Sequence, residues 1–281
     1  MSSVPMESIP PPVEAIQPHR PSGPRVIAAL VGRDLRRFFR QPSRVVGSVA
    51  QPLILWAVLG AGFADSLRVG GAAGAGYLTY FFPGTIVLAM LFTAIFSTMS
   101  VIDDRHHGFL QAVLVAPTSR TALVLGKTLG GVAIALVQAV AFVALAPLAG
   151  FSLAGVDFPF VFGVLTATAI GFTALGFAVA WWVDSTQGYH GIMSVALLPL
   201  WMLSGAMFPP GGSHRWVQLV MRFNPMTYAV AGVRRGLGPI PLHGTAEPLL
   251  AGSSAVVELG ATTAFSVVAV AIAVVVCRRR P

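Results

Sequence analysis

The chain has 281 residues, of which 28 are charged, so about 10% of it is charged where an ordinary soluble domain carries roughly 25%. Such a composition excludes a soluble fold of this size. Six stretches free of Asp, Glu, Lys and Arg, of 19 to 34 residues, occur at 45–64, 69–102, 128–156, 158–183, 185–214 and 259–277. A helix needs about 20 mostly apolar residues to cross a hydrocarbon core about 30 Å thick, so the composition implies an all-α polytopic membrane protein. A transmembrane β-barrel would need strands of about 10 residues alternating apolar with polar, and these stretches are apolar on every side. The lone Cys277 excludes an intrachain disulfide.

Residues 1–23 hold six prolines and few large apolar groups, too few to offset ordering entropy, so they read as a disordered tail with no signal-peptide core. From 24 to 44 the pattern turns amphipathic. Ile27, Leu30, Val31, Leu35 and Phe38 recur at helical spacing, with Arg33, Arg36, Arg37, Arg40 and Arg44 on another face. This predicts a helix in the headgroup plane that runs through Pro42 into the first span. The net charge of +8 then points to anionic lipid headgroups and not to nucleic acid, because most of the arginines flank apolar stretches.

Six spans are predicted, at 45–63, 81–102, 128–150, 158–182, 191–208 and 256–276, within a permease domain of 45–278. An even number places both termini on one side. With that side cytoplasmic, 13 of the 18 basic residues face inward, in keeping with the positive-inside bias. Four of the outward five, Arg215, Arg222, Arg234 and Arg235, fall between spans five and six. Pro52, Pro147 and Pro199 lie within spans, where each should kink its helix.

Enzyme chemistry finds little support. Residues 121–128 resemble a phosphate-cradling loop but begin with Thr where the tight turn needs Gly, and they lead into an apolar span. His106 and His107 are adjacent, so on a helix they diverge by about 100° and have no partner at metal-ligand spacing. Glu258 is the one acid near a span interior and has no second carboxylate. No catalytic or metal-binding residue is assigned.

The segment 103–127 is the informative one. It opens with Asp103, Asp104 and Arg105, breaks at Gly108, continues amphipathically through Phe109, Val113 and Leu114, and stops at Pro117. A helix–break–helix knob of this kind suits either a plain interfacial hairpin or a point on which a soluble motor pushes. Asp104, Arg105, Gly108, Phe109, Leu110, Ala116, Pro117, Gly126 and Lys127 resemble the loop after the second span in permease subunits of ABC-2 type exporters of the daunorubicin-resistance kind. Asp104 stands where those subunits more often have Glu. The run Phe223-Asn-Pro-Met-Thr-Tyr228 with Arg234 is similar to the stretch before the same family's last span, and Ser204-Gly205 with Phe208-Pro209 to its fifth-span exit.

The resemblance implies a six-span subunit that pairs with a second permease copy, identical or not, and with two cytoplasmic ATPase subunits that hold ATP and Mg. It implies re-entrant short helices between spans five and six, carrying Asn224, Pro225, Thr227, Tyr228 and Arg234. It also implies export across a bacterial plasma membrane, and the few polar groups within the spans suit an amphipathic or apolar cargo such as a drug, polyketide or lipid. Coupling to the motor would run through Asp104, Arg105, Gly108, Phe109, Leu110, Gln187 and Tyr189. Candidates for the cargo path between two permeases are Gln51, Trp56, Phe92, Phe96, Met193 and Trp201. The alternative is a proton-coupled secondary carrier, which should show a buried acid and internal repeats.

Overall fold

A computed structural model describes residues 23–63, 75–109, 119–208, 213–238 and 253–279. The tail at 1–22 and, among the singled-out residues, Leu110, Val113, Leu114, Ala116, Pro117 and Pro209 lie outside the described residues. Among the described residues the chain is helical without strands. The helices are α1 (Gly23–Phe39), α2 (Pro42–Phe63), α3 (Ala75–Ser97), α4 (Met99–His106), α5 (Arg120–Ala144), α6 (Phe158–Trp182), α7 (Thr186–Trp201), α8 (Arg215–Phe223), α9 (Pro225–Gly236) and α10 (Ala255–Arg279). Six stretches are long and apolar enough to cross a membrane: Val45–Phe63, Gly76–His106, Arg120–Ala144, Phe158–Trp182, Thr186–Ala206 and Ala255–Arg279.

Three starts differ from the sequence expectation. The second span begins at 76 and not 81, the third at Arg120 and not 128, and the fifth at Thr186 and not 191. Charge-free stretches mark where a helix enters lipid, whereas hydrogen bonding decides where it begins. Ser119 Oγ accepts from Ala122 N at 3.1 Å, Asp157 Oδ1 from Phe160 N at 3.1 Å and Ser185 Oγ from Gly188 N at 2.8 Å, which caps α5, α6 and α7 at polar residues ahead of their apolar runs. Pro147 does not kink a helix. The helix α5 ends at Ala144, and Pro147 sits in a 3₁₀ turn, Ala146–Ala149, closed by Gly150 at φ 88°.

The core is built on α3, whose span is 78% buried, with α5 and α6 packed on it and α10 lying along α6. By contrast α2 is only 11% buried and shows Val46, Ile54 and Val58 outward. An unpartnered apolar face of this kind suits lipid or another membrane subunit. The short helix α8 likewise exposes Trp216, Leu219 and Phe223.

Helix α1 docks on α5 through Leu30, Asp34 and Phe38, one stripe at helical spacing. The docking surface is the pair Gly126 and Gly130. A Cβ at Gly126 would lie 2.6 Å from Leu30 Cδ1, and one at Gly130 would lie 3.0 Å from Asp34 Oδ2. This small-residue pair therefore seats the amphipathic helix, and it does so with a carboxylate on the buried side.

Candidate functional site

The carboxylate on that buried stripe begins a charge cluster. Lys127 Nζ, 1% exposed, lies 3.1 Å from Asp34 Oδ1, 2.7 Å from Asp104 Oδ2 and 3.4 Å from Ser100 Oγ. Arg33 grips Asp104 with both nitrogens, Nη1 at 2.9 Å and Nη2 at 2.5 Å, and Arg37 Nη2 meets Asp103 Oδ2 at 2.9 Å. The hydrogen bonds to Asp104 hold the Arg33 guanidinium above its ordinary pKa. Three acids and three bases thus balance, and they bind α1, α4 and α5 at one end of the bundle. Arg33 also lies 3.8 Å over the Phe109 ring, which extends the tie to the knob beyond the Gly108 break, where φ is 73°.

Arg105 makes a different connection. Its Nη1 meets Asp184 Oδ1 at 2.8 Å, while Nη2 donates to Ala180 O at 3.2 Å and Trp181 O at 2.9 Å. A cation on the last carbonyls of α6 is a favourable helix end, and here it fastens α4 to the α6–α7 turn. Tyr189 is fully buried. Its hydroxyl donates to Ile95 O at 3.1 Å and meets Thr98 Oγ1 at 2.7 Å, at the break between α3 and α4. Of the residues associated with coupling, Asp104 and Tyr189 therefore sit behind the surface and brace it. Arg105, Gly108 and Phe109 are half-buried, and Gln187 is exposed. Residues 121–128 run as helix within α5, which leaves no loop there to cradle a phosphate.

A cavity of about 350 Å³ opens between α2, α3, α5 and α7. Gln51, Phe92 and Phe96 line it together with Ser48, Pro52, Leu55, Thr93 and Ser97, and no charged side chain does. Phe92 and Phe96 have centroids 5.4 Å apart, and Phe96 stacks on His190 at 4.7 Å. The other three path candidates are not part of this lining. Trp56 bonds Leu78 O at 3.0 Å, Met193 is buried, and Trp201 Nε1 donates to Gly84 O at 2.9 Å inside the core.

The fifth span breaks after Trp201. Residues Met202–Ala206 form a π turn with Leu203 non-helical and Gly205 at φ 75°, so several carbonyls lose their helical donors. At membrane depth each must find another partner. Asn224 Nδ2 donates to Leu200 O at 2.6 Å and Leu203 O at 2.9 Å, Tyr80 OH and Arg234 Nη2 donate to Gly205 O at 2.8 and 3.1 Å, and Tyr77 OH donates to Met207 O at 3.1 Å. Asn224 Oδ1 also accepts from Met226 N at 3.0 Å, capping α9, with Pro225 at its first position. Thr227 is buried within α9, and Tyr228 OH donates to Arg222 O at 2.9 Å. Asn224→Ala should cost about 3 kcal/mol, since two carbonyls and a cap lose their partner. Asn224→Ser keeps a capping oxygen but loses the amide donors, so a smaller loss in Ser than in Ala by thermal unfolding in detergent would isolate the cap.

Two arginines of the outward excess are thereby explained. Arg234 serves the broken span and stacks on Tyr80 at 4.3 Å, while Arg235 holds buried Glu258 through Nε and Nη2, both at 2.8 Å. That bidentate bond raises the Arg235 pKa and gives the buried acid a basic partner.

A membrane bundle with a broken span braced by two short helices, and a charge-clamped knob at its end, defines a multi-pass permease. The chain belongs to the ABC-2 type transporter family, whose profile matches residues 25–237. It is 28% identical over 211 residues to the transport permease ycf38 of Pyropia yezoensis, covering 74% of this chain and 72% of that one. It is 26% identical over 220 residues to the daunorubicin resistance ABC transporter permease protein DrrB1 of Streptomyces coeruleorubidus, covering 76% and 74%. To nodulation protein J of Rhizobium meliloti (strain 1021) it is 23% identical over 241 residues, covering 84% and 86%.

Sequence reasoning passed over Asp34 and Gln138, and it gave Arg33 and Arg37 to the headgroup-facing side of α1, whereas they pair with Asp104 and Asp103. The signal for Asp34 was present: an acid at the position between Leu30 and Phe38 on an apolar stripe. Gln138 is the polar residue at depth in α5 and is 3% exposed.

Proposed function

We propose that this chain is the membrane-spanning subunit of an ATP-driven exporter, moving an amphipathic or apolar cargo across a bacterial plasma membrane. Two cytoplasmic ATPase subunits, holding ATP and Mg, dock on the knob, and a second permease copy faces α2. Both termini lie on the cytoplasmic side with the knob.

The observation that carries this reading is the knob's attachment. Arg105, Phe109 and Gln187 reach the surface at the place where α1, α4, α5, α6 and α7 are tied to one another by charge and hydrogen bonds. A push there is delivered to five helices at once. A partner shifts a two-state equilibrium only by binding its states differently, and a rigid lever supplies that difference. The neutral lining around Gln51, Phe92 and Phe96 favours uncharged, partly apolar cargo, a class in keeping with a relative named for daunorubicin resistance.

Against the proton-coupled alternative, the buried acids Asp34, Asp104 and Glu258 are each held by a base. Purification in mild detergent followed by mass spectrometry tests the proposal. A Walker-type ATPase should accompany the permease. Uphill, proton-driven flux by the isolated chain in liposomes would favour the carrier instead.

A further inference from the structure

Helix α2 carries Pro52 in its interior, and a proline offers no amide hydrogen to the carbonyl four residues before it. That carbonyl belongs to Ser48. It is not left bare, because Gln138 Nε2 on α5 donates to Ser48 O at 2.8 Å. The Ser48 hydroxyl completes the pairing, its hydrogen shared between Val45 O at 2.8 Å and Gln138 Oε1 at 3.2 Å. A side chain of another span thus takes the place of the missing backbone donor, one of the ways a proline becomes tolerable within a membrane.

The location gives this pairing its consequence. Among the spans α2 is the least buried, and it packs chiefly on α3, through Trp56 against Phe82 and Phe63 against Tyr77, with little against α5. It is tied to α3 by Trp56 Nε1 on Leu78 O at 3.0 Å, and to α5 by the Ser48–Gln138 pair one turn before Pro52. Ser48, Gln51 and Pro52 form one wall of the 350 Å³ cavity, and Phe92 and Thr93 of α3 form the facing one. The angle that α2 takes at Pro52 therefore bears on how far apart those walls stand.

We infer that Gln138 is a positioning residue for transport: its carboxamide replaces the hydrogen that Pro52 lacks, fixes the bend of α2, and so sets the width of the cavity. Hydrogen bonds between helices in a membrane are individually weak, so this tie is one that a conformational cycle can exchange. The importance of the cavity to cargo rests on the function proposed above. The geometric role of Gln138 does not.

The proline itself supplies the control. Pro52→Ala restores an amide donor to Ser48 O and makes Gln138 redundant. In a Cys277→Ala background, spin labels at Ile54→Cys on α2 and Val140→Cys on α5, both exposed positions, report the separation of the two helices in nanodiscs. Gln138→Leu should at least double the width of the pulsed-EPR distance distribution, and Pro52→Ala combined with Gln138→Leu should return it to the starting width. An unchanged distribution in Gln138→Leu, or a broad one that Pro52→Ala does not narrow, overturns the inference. If Gln138→Leu alone does not insert, recovery of insertion in the double variant supports the assignment, and failure of both overturns it. Neither measurement needs the motor or the cargo, so its failure leaves the proposed export function to be judged separately.

Discussion

Lys127→Met is expected to destabilise the bundle by about 3–5 kcal/mol, the range for removing one partner from a buried ion pair. Methionine keeps most of the length and loses the charge. Lys127 Nζ lies within 3.1 Å of both Asp34 and Asp104, whose side chains are 8% and 4% exposed. Without it Asp34 has Arg33 at 3.9 Å as its nearest base. Asp104 keeps the Arg33 fork, so the loss should fall mainly on the seat of α1 against α5. Thermal unfolding in detergent measures it. Adding Asp34→Leu to Lys127→Met removes the stranded acid and should recover much of the stability, since deleting both members of a buried pair is often close to neutral. A double variant no more stable than the single would mean that Lys127 acts through Asp104 alone.

Arg105→Ala is expected to cost about 1–2 kcal/mol of stability, less than Lys127→Met, while reducing cargo export and coupled ATP hydrolysis at least tenfold. The Asp184 pair adds little to that cost because Asp184 is 88% exposed, and the loss falls on the bonds to the Ala180 and Trp181 carbonyls. The large functional effect follows from position. The Arg105 fork joins α4 to the last carbonyls of α6 and to the turn that starts α7, so, on the function proposed above, its loss would let a docked motor tilt the knob without moving those helices. Arg105→Lys retains charge but not the fork and should be intermediate. Reconstituted complexes assayed for ATPase activity and export settle the matter, and wild-type export by Arg105→Ala would remove this residue from the coupling path.

These two residues show what was legible beforehand. Arg105 stood in a run of charges after an apolar stretch and was picked out by type and by motif. Lys127 and Asp104 were both noted as part of the motif but not as partners, and Asp34 was not noted, because Asp34 lies 93 residues from Lys127 and Asp104 lies 23 away across the knob. Asn224 and Arg234 were also named from their motif, and the structure supplies the reason for their residue types: each donates to a carbonyl that the broken fifth span cannot bond itself. Gln138 carried no signal beyond being polar among apolar neighbours, because its partner is a backbone atom of another helix.

What the chain's own order of residues determined is the helical membrane class, the six apolar crossings, the amphipathic first helix and the place of the knob. These follow from the cost of burying charge and unpaired backbone in lipid, a cost paid locally along each stretch. What only the tertiary structure decided is which charges neutralise one another, which face of α1 is covered, where the fifth span breaks and what mends it, and how Pro52 is accommodated. Each of those depends on a donor and an acceptor from distant parts of the chain meeting within about 3 Å, a distance that periodicity and composition do not encode.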